Sequence, residues 1–285
     1  MRTSTMLAAI RRALKIAAVT TVTVAGTCAA LSAQPAVAKP ADQVSAKTRV
    51  ANAVKAWDAQ HPHDYVGLNR EIVKAGGDPV RFNFDKVGLA NLTPEQAQAA
   101  YDNASRQFAA GEIGIESISS FNVSGYWSHV VDTYGEWWSW YGSWDFTTNE
   151  STGNPTDAMA VQTRDISSSC WKMDGDDGWL YNAGGGLNSS LFDRRFSDFD
   201  SAVWNINDSW GQTYYVDHGT LYISYKRLGC GSTVIYGKTF LEHNKSGCNC
   251  SWNFSITANV FSISYTGSDL PESYQKSTTL TSTWT

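Results

Sequence analysis

The chain has 285 residues, 42% of them hydrophobic and 13% aromatic, and carries a formal net charge of −5. That length and apolar content support a packed core and exclude a disordered chain. The acidic balance repels phosphate backbones, which argues against a nucleic-acid binder.

The first residues read as an export signal. Arg2, Arg11, Arg12 and Lys15 are followed by the apolar run "IAAVTTVTVAGTCAALSA" and then "AVAK", with Ala36 and Ala38 as the small residues before a cleavage point. An uncleaved membrane anchor is the competing reading, because the run approaches spanning length. No later segment is apolar enough for a stable membrane span. Removing residues 1–38 leaves 18 basic against 27 acidic side chains, a formal charge of −9, and localises the protein as secreted. Residues 39–112 balance nine of each sign, so the whole excess of acid falls in residues 113–285.

Residues 39–112 carry a helical period. "DQVSAKTRVANAVKAWDAQ" spaces Val44, Val50, Val54 and Trp57 near helical intervals, and "DYVGLNREIVKAGG" reads as a further helix ending at Gly76 and Gly77. In "TPEQAQAAYDNASRQFAAG", Thr93 suits the N-cap, Pro94 the first turn, Gln96 a capping box and Gly111 the left-handed end. This region is either a pro-segment or a helical layer.

From Ile113 the period changes to two, and eleven of the twelve tryptophans lie beyond it. "FNVSGYWSHVV" and "EWWSWYGSWDF" form a hairpin through "DTYG". "QTYYVDHGTLYISYK" reads as another, turning at Asp217, His218 and Gly219, with Leu221, Ile223 and Tyr225 sharing a face. In "SWNFSITANVFSISYTG" the alternation through Trp252, Phe254 and Ile256 shifts phase at Val260 and Phe261, which marks a bulge or a short turn. About nine strands fit one domain. The expected fold is α+β: a small N-terminal helical region followed by an antiparallel β-sandwich or barrel, over residues 113–285.

Four cysteines remain after signal removal: Cys170, Cys230, Cys248 and Cys250. An even number in an exported chain predicts two disulfides rather than a zinc site. A Cys248–Cys250 ring is small, so the expected bonds join Cys230 to one member of "CNC" and Cys170 to the other.

Catalytic motifs are missing from the sequence: it has no G-x-S-x-G elbow, no H-E-x-x-H and no phosphate loop after a strand. Glu136, Glu242, His129 and His243 are the weak candidates for acid–base work, because they fall in or near aromatic strands where two carboxylates could flank a glycosidic bond. Packed, hydrogen-bonded side chains are the bland alternative. "MDGDDGW" reads as a tight turn with solvated carboxylates, or as a calcium loop through Asp174, Asp176 and Asp177. No other cofactor is implied.

The tryptophans in "GEWWSWYGSWDF" divide by pleat. Trp138, Trp140, Trp144 and Phe146 form a uniformly aromatic face that reads as core. On the opposite face Trp137 and Tyr141 lie among Ser139, Ser143 and Asp145, a setting that suits stacking on a sugar ring. Trp171, Trp179 and Trp210 fall in or beside expected loops and join them as binding candidates. Three functions follow: a secreted β-domain that binds a glycan, a cell-wall polymer or a partner protein through exposed aromatics; a glycosidase-like hydrolase; and a membrane-active, toxin-like protein, suggested by alternating Ser and Thr in "FSISYTGS" and "STTLTSTWT".

Overall fold

A computed structural model describes residues 44–285 except 87, 146–155, 165, 183, 188–191, 208–216, 245–249, 258–259, 268–272 and 285. Residues 115–116, 156–157, 192–196, 207, 233, 243–244 and those from 250 onward are described by backbone only.

The helix signals act as their chemistry dictates. Helix α1 (Ala46–Asp58) starts where the Ser45 side chain accepts from the Thr48 N–H, and α2 (Tyr65–Ala75) starts where Asp64 accepts from Gly67. Gly76 ends α2 at φ 102°, a conformation that glycine adopts without strain. Helix α3 (Pro94–Ala109) carries the full capping box of Thr93 and Gln96. A short α4 (Ile115–Ile118) and a 3₁₀ turn (Ser119–Phe121) carry the helical part past residue 112.

The described residues form twelve strands. They are β1 (Asn83–Phe84), β2 (Val123–Asp132), β3 (Gly135–Asp145), β4 (Thr156–Arg164), β5 (Trp171–Tyr181), β6 (Phe192–Ser197), β7 (Ser201–Asn207), β8 (His218–Arg227), β9 (Thr233–Asn244), β10 (Cys250–Thr257), β11 (Val260–Gly267) and β12 (Ser273–Trp284). They form a sheet ordered β1-β2-β3-β8-β5, a second ordered β12-β9-β4-β7-β6, and a separate hairpin β10-β11. All pairings are antiparallel. The fold is therefore α+β, with two open sheets instead of a closed barrel.

Pleating sorts the first sheet into two interiors. Val123, Trp127, Trp140, Trp144, Leu221, Ile223 and Tyr225 pack with Met159, Val161, Trp204 and Leu241 of the second sheet into one core. The intervening Tyr126, Val130 and Tyr141 face the other way and pack with Val50, Tyr65, Ile72 and Phe82 of the helical part. The molecule thus has three layers: helices, first sheet, second sheet. The aromatic face expected to be core is core at Trp140 and Trp144, which are 0% and 2% exposed, while Trp138 packs partly buried against it. Phe146 lies outside the described residues.

Several sequence expectations are corrected. Asp217, His218 and Gly219 make no hairpin turn: His218 begins β8 and pairs with Asp145 on one side and Tyr181 on the other. Glycine is needed at 219 for space, since a Cβ there would stand 1.7 Å from the Trp144 ring. "MDGDDGW" lies within β5, where a register shift between Met173 and Asp176 absorbs Gly175 at φ 126°. The phase shift after Ile256 separates two antiparallel strands, β10 and β11, with Thr257 paired to Val260.

The disulfide pairing also differs. Cys170 is bonded to Cys230, with Cα atoms 4.9 Å apart, and this is the disulfide seen among the described residues. Sheet register decides it: Trp171 pairs with Arg227, and Leu228 N–H donates to the Cys170 carbonyl at 2.7 Å, which sets both cysteines at the same end of the β5–β8 ladder. Cys250 opens β10, and Cys248 lies outside the described residues. With the bonded cysteines 60 positions apart, chain entropy gives the crosslink about 4 kcal/mol. A Cys170→Ser, Cys230→Ser protein is expected to lose most of that in urea denaturation, while peptide mapping of the native protein recovers the 170–230 linkage.

Candidate functional site

The first candidate is the seam between the helical layer and the first sheet. The ends of β3 and β8 place Asp145 beside His218, and the α1–α2 connection lies over them. His63 stands in this connection at φ 65°, a left-handed conformation that costs a non-glycine residue energy. Its Nε2 meets Asp145 Oδ2, its Nδ1 is 3.0 Å from the Tyr65 hydroxyl, and its ring stacks on Tyr101. His218 is 3% exposed, with Nδ1 2.9 Å from Asp217 Oδ2 and Nε2 2.8 Å from the Asp58 carbonyl oxygen. The Asp58 carboxylate accepts from the Thr220 hydroxyl at 2.7 Å and from Trp179 Nε1 at 3.4 Å. A cavity of about 30 Å³, lined in part by Asp58, His63, Tyr126, Asp145 and His218, occupies the centre and has room for one water molecule.

Electrostatics in the seam run against the usual values. Burial pushes the Asp58 carboxyl up, only partly offset by the charge of His218 and the bonds from Thr220 and Trp179. Burial of the His218 ring opposes its protonation, but the bond to Asp217 and the charges of Asp58 and Asp145 outweigh it and raise its pKa. Farther along the seam Asp174 accepts from Lys47 Nζ and from Trp137 Nε1, both at 2.7 Å. Its desolvation is overcome by Lys47, so its carboxyl is held below the ordinary range.

This geometry relocates the expected binding aromatics. Trp137 and Tyr141 are 4% and 1% exposed: Lys226 covers the first, and the second is stacked between Tyr126 and Tyr222, with ring centroids 5.2 Å away on each side. Trp171 and Trp179 are in strands, 1% and 3% exposed. No open platform exists at these four positions: Tyr141 and Trp179 lie beneath the helices, and Trp171 packs in the core between the sheets. Trp210 lies outside the described residues.

Of the acid–base candidates, Glu136 and His129 meet, with His129 Nε2 3.4 Å from Glu136 Oε1, while the two carboxylates are kept apart. Glu136, at the start of β3, accepts from Arg227 at 2.9 Å. Glu242, 2% exposed, is near the end of β9 in the opposite sheet. Because β3 and β9 run in the same direction across the core, with Trp140 against Gly237 and Gly142 against Thr239, the two carboxylates stand at opposite ends of the sandwich. His129 stacks on Trp138 and bonds Asp78 Oδ2 at 2.6 Å. The side chain of His243 lies outside the described residues. For the acidic run, Asp174 is engaged by Lys47 and Asp177 accepts from the Gly178 N–H. Among the described residues no three His, Cys, Asp or Glu side chains converge on a metal position. The residues that sequence reading missed are Asp58 and His63: a helix-terminal Asp and a loop "HPH" have no signature until the layer docks.

The second candidate is the β10–β11 hairpin, inserted between the paired strands β9 and β12. Its register joins Trp252 to Tyr265, Phe254 to Ile263 and Ile256 to Phe261, so one face is aromatic and aliphatic. The alternate pairs are Ser251 with Thr266, Asn253 with Ser264 and Ser255 with Ser262. No charged residue occurs from Ser251 to Gly267.

Fold and site together define a layered α+β protein with an uncharged amphipathic hairpin. No family model matches the chain, and no curated protein matches it. Among solved structures it is similar to one titled "Pore forming protein", at 10% identity and TM-score 0.25, over 55% of this chain and 85% of that one. Another is the Clostridium perfringens NetB toxin in its membrane-inserted form, at 10% identity and TM-score 0.24, over 55% of this chain and 89% of that one. A third, "BspA_C_WT", has 6% identity and TM-score 0.27, over 42% of this chain and 54% of that one. Scores this low do not define a shared fold. Among the described residues, no helix is long and apolar enough to cross a membrane.

Proposed function

We propose that this is an exported, membrane-active protein whose β10–β11 hairpin enters the lipid bilayer. The observation that carries the reading is the hairpin register: six apolar positions on one face, six hydroxyl or amide positions on the other, and no charge between. Each strand has eight residues. At about 3.4 Å per residue that is about 27 Å along the strand, or about 21 Å of depth at the tilt of about 40° usual for barrel strands, which reaches across most of an apolar band about 25 Å tall. The apolar face suits lipid and the Ser, Thr and Asn face suits a lumen.

A single hairpin has two unpaired edges, and in hydrocarbon each unsatisfied backbone group costs several kcal/mol. Spanning therefore requires several copies to pair edge to edge into a closed ring. Export through removal of residues 1–38 belongs to the same reading and predicts a mature N-terminus at Lys39. Binding of a glycan or a partner protein through exposed aromatics draws less support, since Trp137, Tyr141, Trp171 and Trp179 are inside the fold.

Dye-loaded liposomes give the test. The mature protein is expected to release dye and to form crosslinkable oligomers on the vesicles. A Phe254→Asp, Ile263→Asp variant is expected to lose release at least tenfold while keeping the melting temperature of the sandwich. A charge on the lipid face costs about 2–4 kcal/mol at mid-bilayer for Arg or Lys, somewhat less for Asp. Intact vesicles across lipid compositions and pH would end the reading.

A further inference from the structure

Three histidines join the helical layer to the first sheet, two of them at the seam cavity. His63, between α1 and α2, meets Asp145 at the end of β3. His218 of β8 bonds the Asp58 carbonyl at the end of α1 and lies near that residue's buried carboxylate. His129 of β2 bonds Asp78, which follows α2.

The acceptors fix the state of the His218 ring. It has a carboxylate at Nδ1 and a carbonyl oxygen at Nε2, and neither can donate. Only an imidazolium, with two N–H donors, satisfies both sides.

We propose that His218 forms a protonation-dependent clamp that holds the helical layer on the sandwich. The groups facing it are Asp217, Asp58, Asp145 and Tyr181. Deprotonation of the His218 ring leaves a lone pair against an oxygen and removes the charge opposite a carboxylate.

The sign of the pH effect follows. His218, raised in the folded protein, stabilises fully below the ordinary histidine value of 6.5 and loses that contribution as pH climbs through its folded pKa. Asp58, also raised, binds its proton more tightly when folded, so its contribution likewise fades as pH rises through the folded value. Both weaken the seam on the alkaline side. Lys47–Asp174 acts in the other direction, since a depressed carboxyl loses its contribution only as pH falls through its folded value, below 3.8.

Loosening the clamp would uncover the ladder Tyr126–Tyr141–Tyr222, whose rings stack across β2, β3 and β8. The clamp uses none of the hairpin residues, so it stands or falls apart from the membrane reading.

Hydrogen exchange of the full mature protein in solution, corrected for intrinsic pH dependence, tests it between pH 6 and 8.5. Protection of α1 and α2 amides is expected to fall by about tenfold for each unit by which the His218 pKa is raised, while β3 and β8 amides keep theirs. His218→Gln is expected to lower protection at pH 6 and to flatten the slope; Asp217→Asn, which removes the charge bonded to Nδ1, serves the same purpose where that variant does not fold. A flat wild-type profile, an unchanged slope in the variant that folds, or loss of protection in helices and strands together would each overturn the clamp.

Discussion

Trp140→Ala is expected to lower the free energy of unfolding by about 3–5 kcal/mol, the range for truncating a large buried aromatic. Trp140 is fully buried between the two sheets. Its ring lies against Gly237, where even a Cβ would come within 2.2 Å, and its Nε1 donates to Thr239 Oγ1 at 3.1 Å. Truncation therefore opens a cavity that the rigid strands cannot fill and leaves the Thr239 hydroxyl without its donor. Trp140→Phe retains most of the packing and is expected to cost about half as much. Urea denaturation read by far-ultraviolet circular dichroism measures both, and an alanine variant within about 1 kcal/mol of wild type would show that the sheets do not share this core. The converse change, Gly237→Ala, is expected to be as damaging as a cavity because backbone and indole cannot both yield.

Tyr141→Ala is expected to cost about 3 kcal/mol and to act on the opposite interface. The ring is 1% exposed and stacked between Tyr126 and Tyr222 beneath the helical layer. Deleting it breaks two ring stacks and undermines the layer's footing. Early loss of helix protection in hydrogen exchange, ahead of the sandwich strands, is the expected signature. An open glycan platform would give another result: Tyr141→Ala would abolish retention on an insoluble polysaccharide at unchanged melting temperature. Unchanged stability in this variant would therefore return Tyr141 to the surface and count against the three-layer arrangement.

Local rules determined much of this protein in advance. Thr93, Pro94 and Gln96 specify a helix start through groups within three residues of one another, and Gly76 specifies a helix end through its own backbone freedom. Alternation in "GEWWSWYGSWDF" specifies which tryptophans share a face, since pleating depends on chain geometry alone. Alternation through Trp252, Phe254 and Ile256 was visible too, but whether the shift at Val260 and Phe261 marked a bulge or separated two strands was left to the structure.

What the sequence could not decide was which face meets what. Two faces of one strand look like core and surface when a sheet has water on one side; here helices cover the second face, so Trp137 and Tyr141 are as buried as Trp144. The same layer draws Asp58 and His63, a helix-end carboxylate and a loop histidine, into one buried polar seam. Disulfide partners followed register and not spacing, because the ladder between β5 and β8 brings Cys170 to Cys230 across 60 residues. Each of these outcomes depends on contacts between segments distant in sequence, which periodicity cannot encode and only the docking of layers supplies.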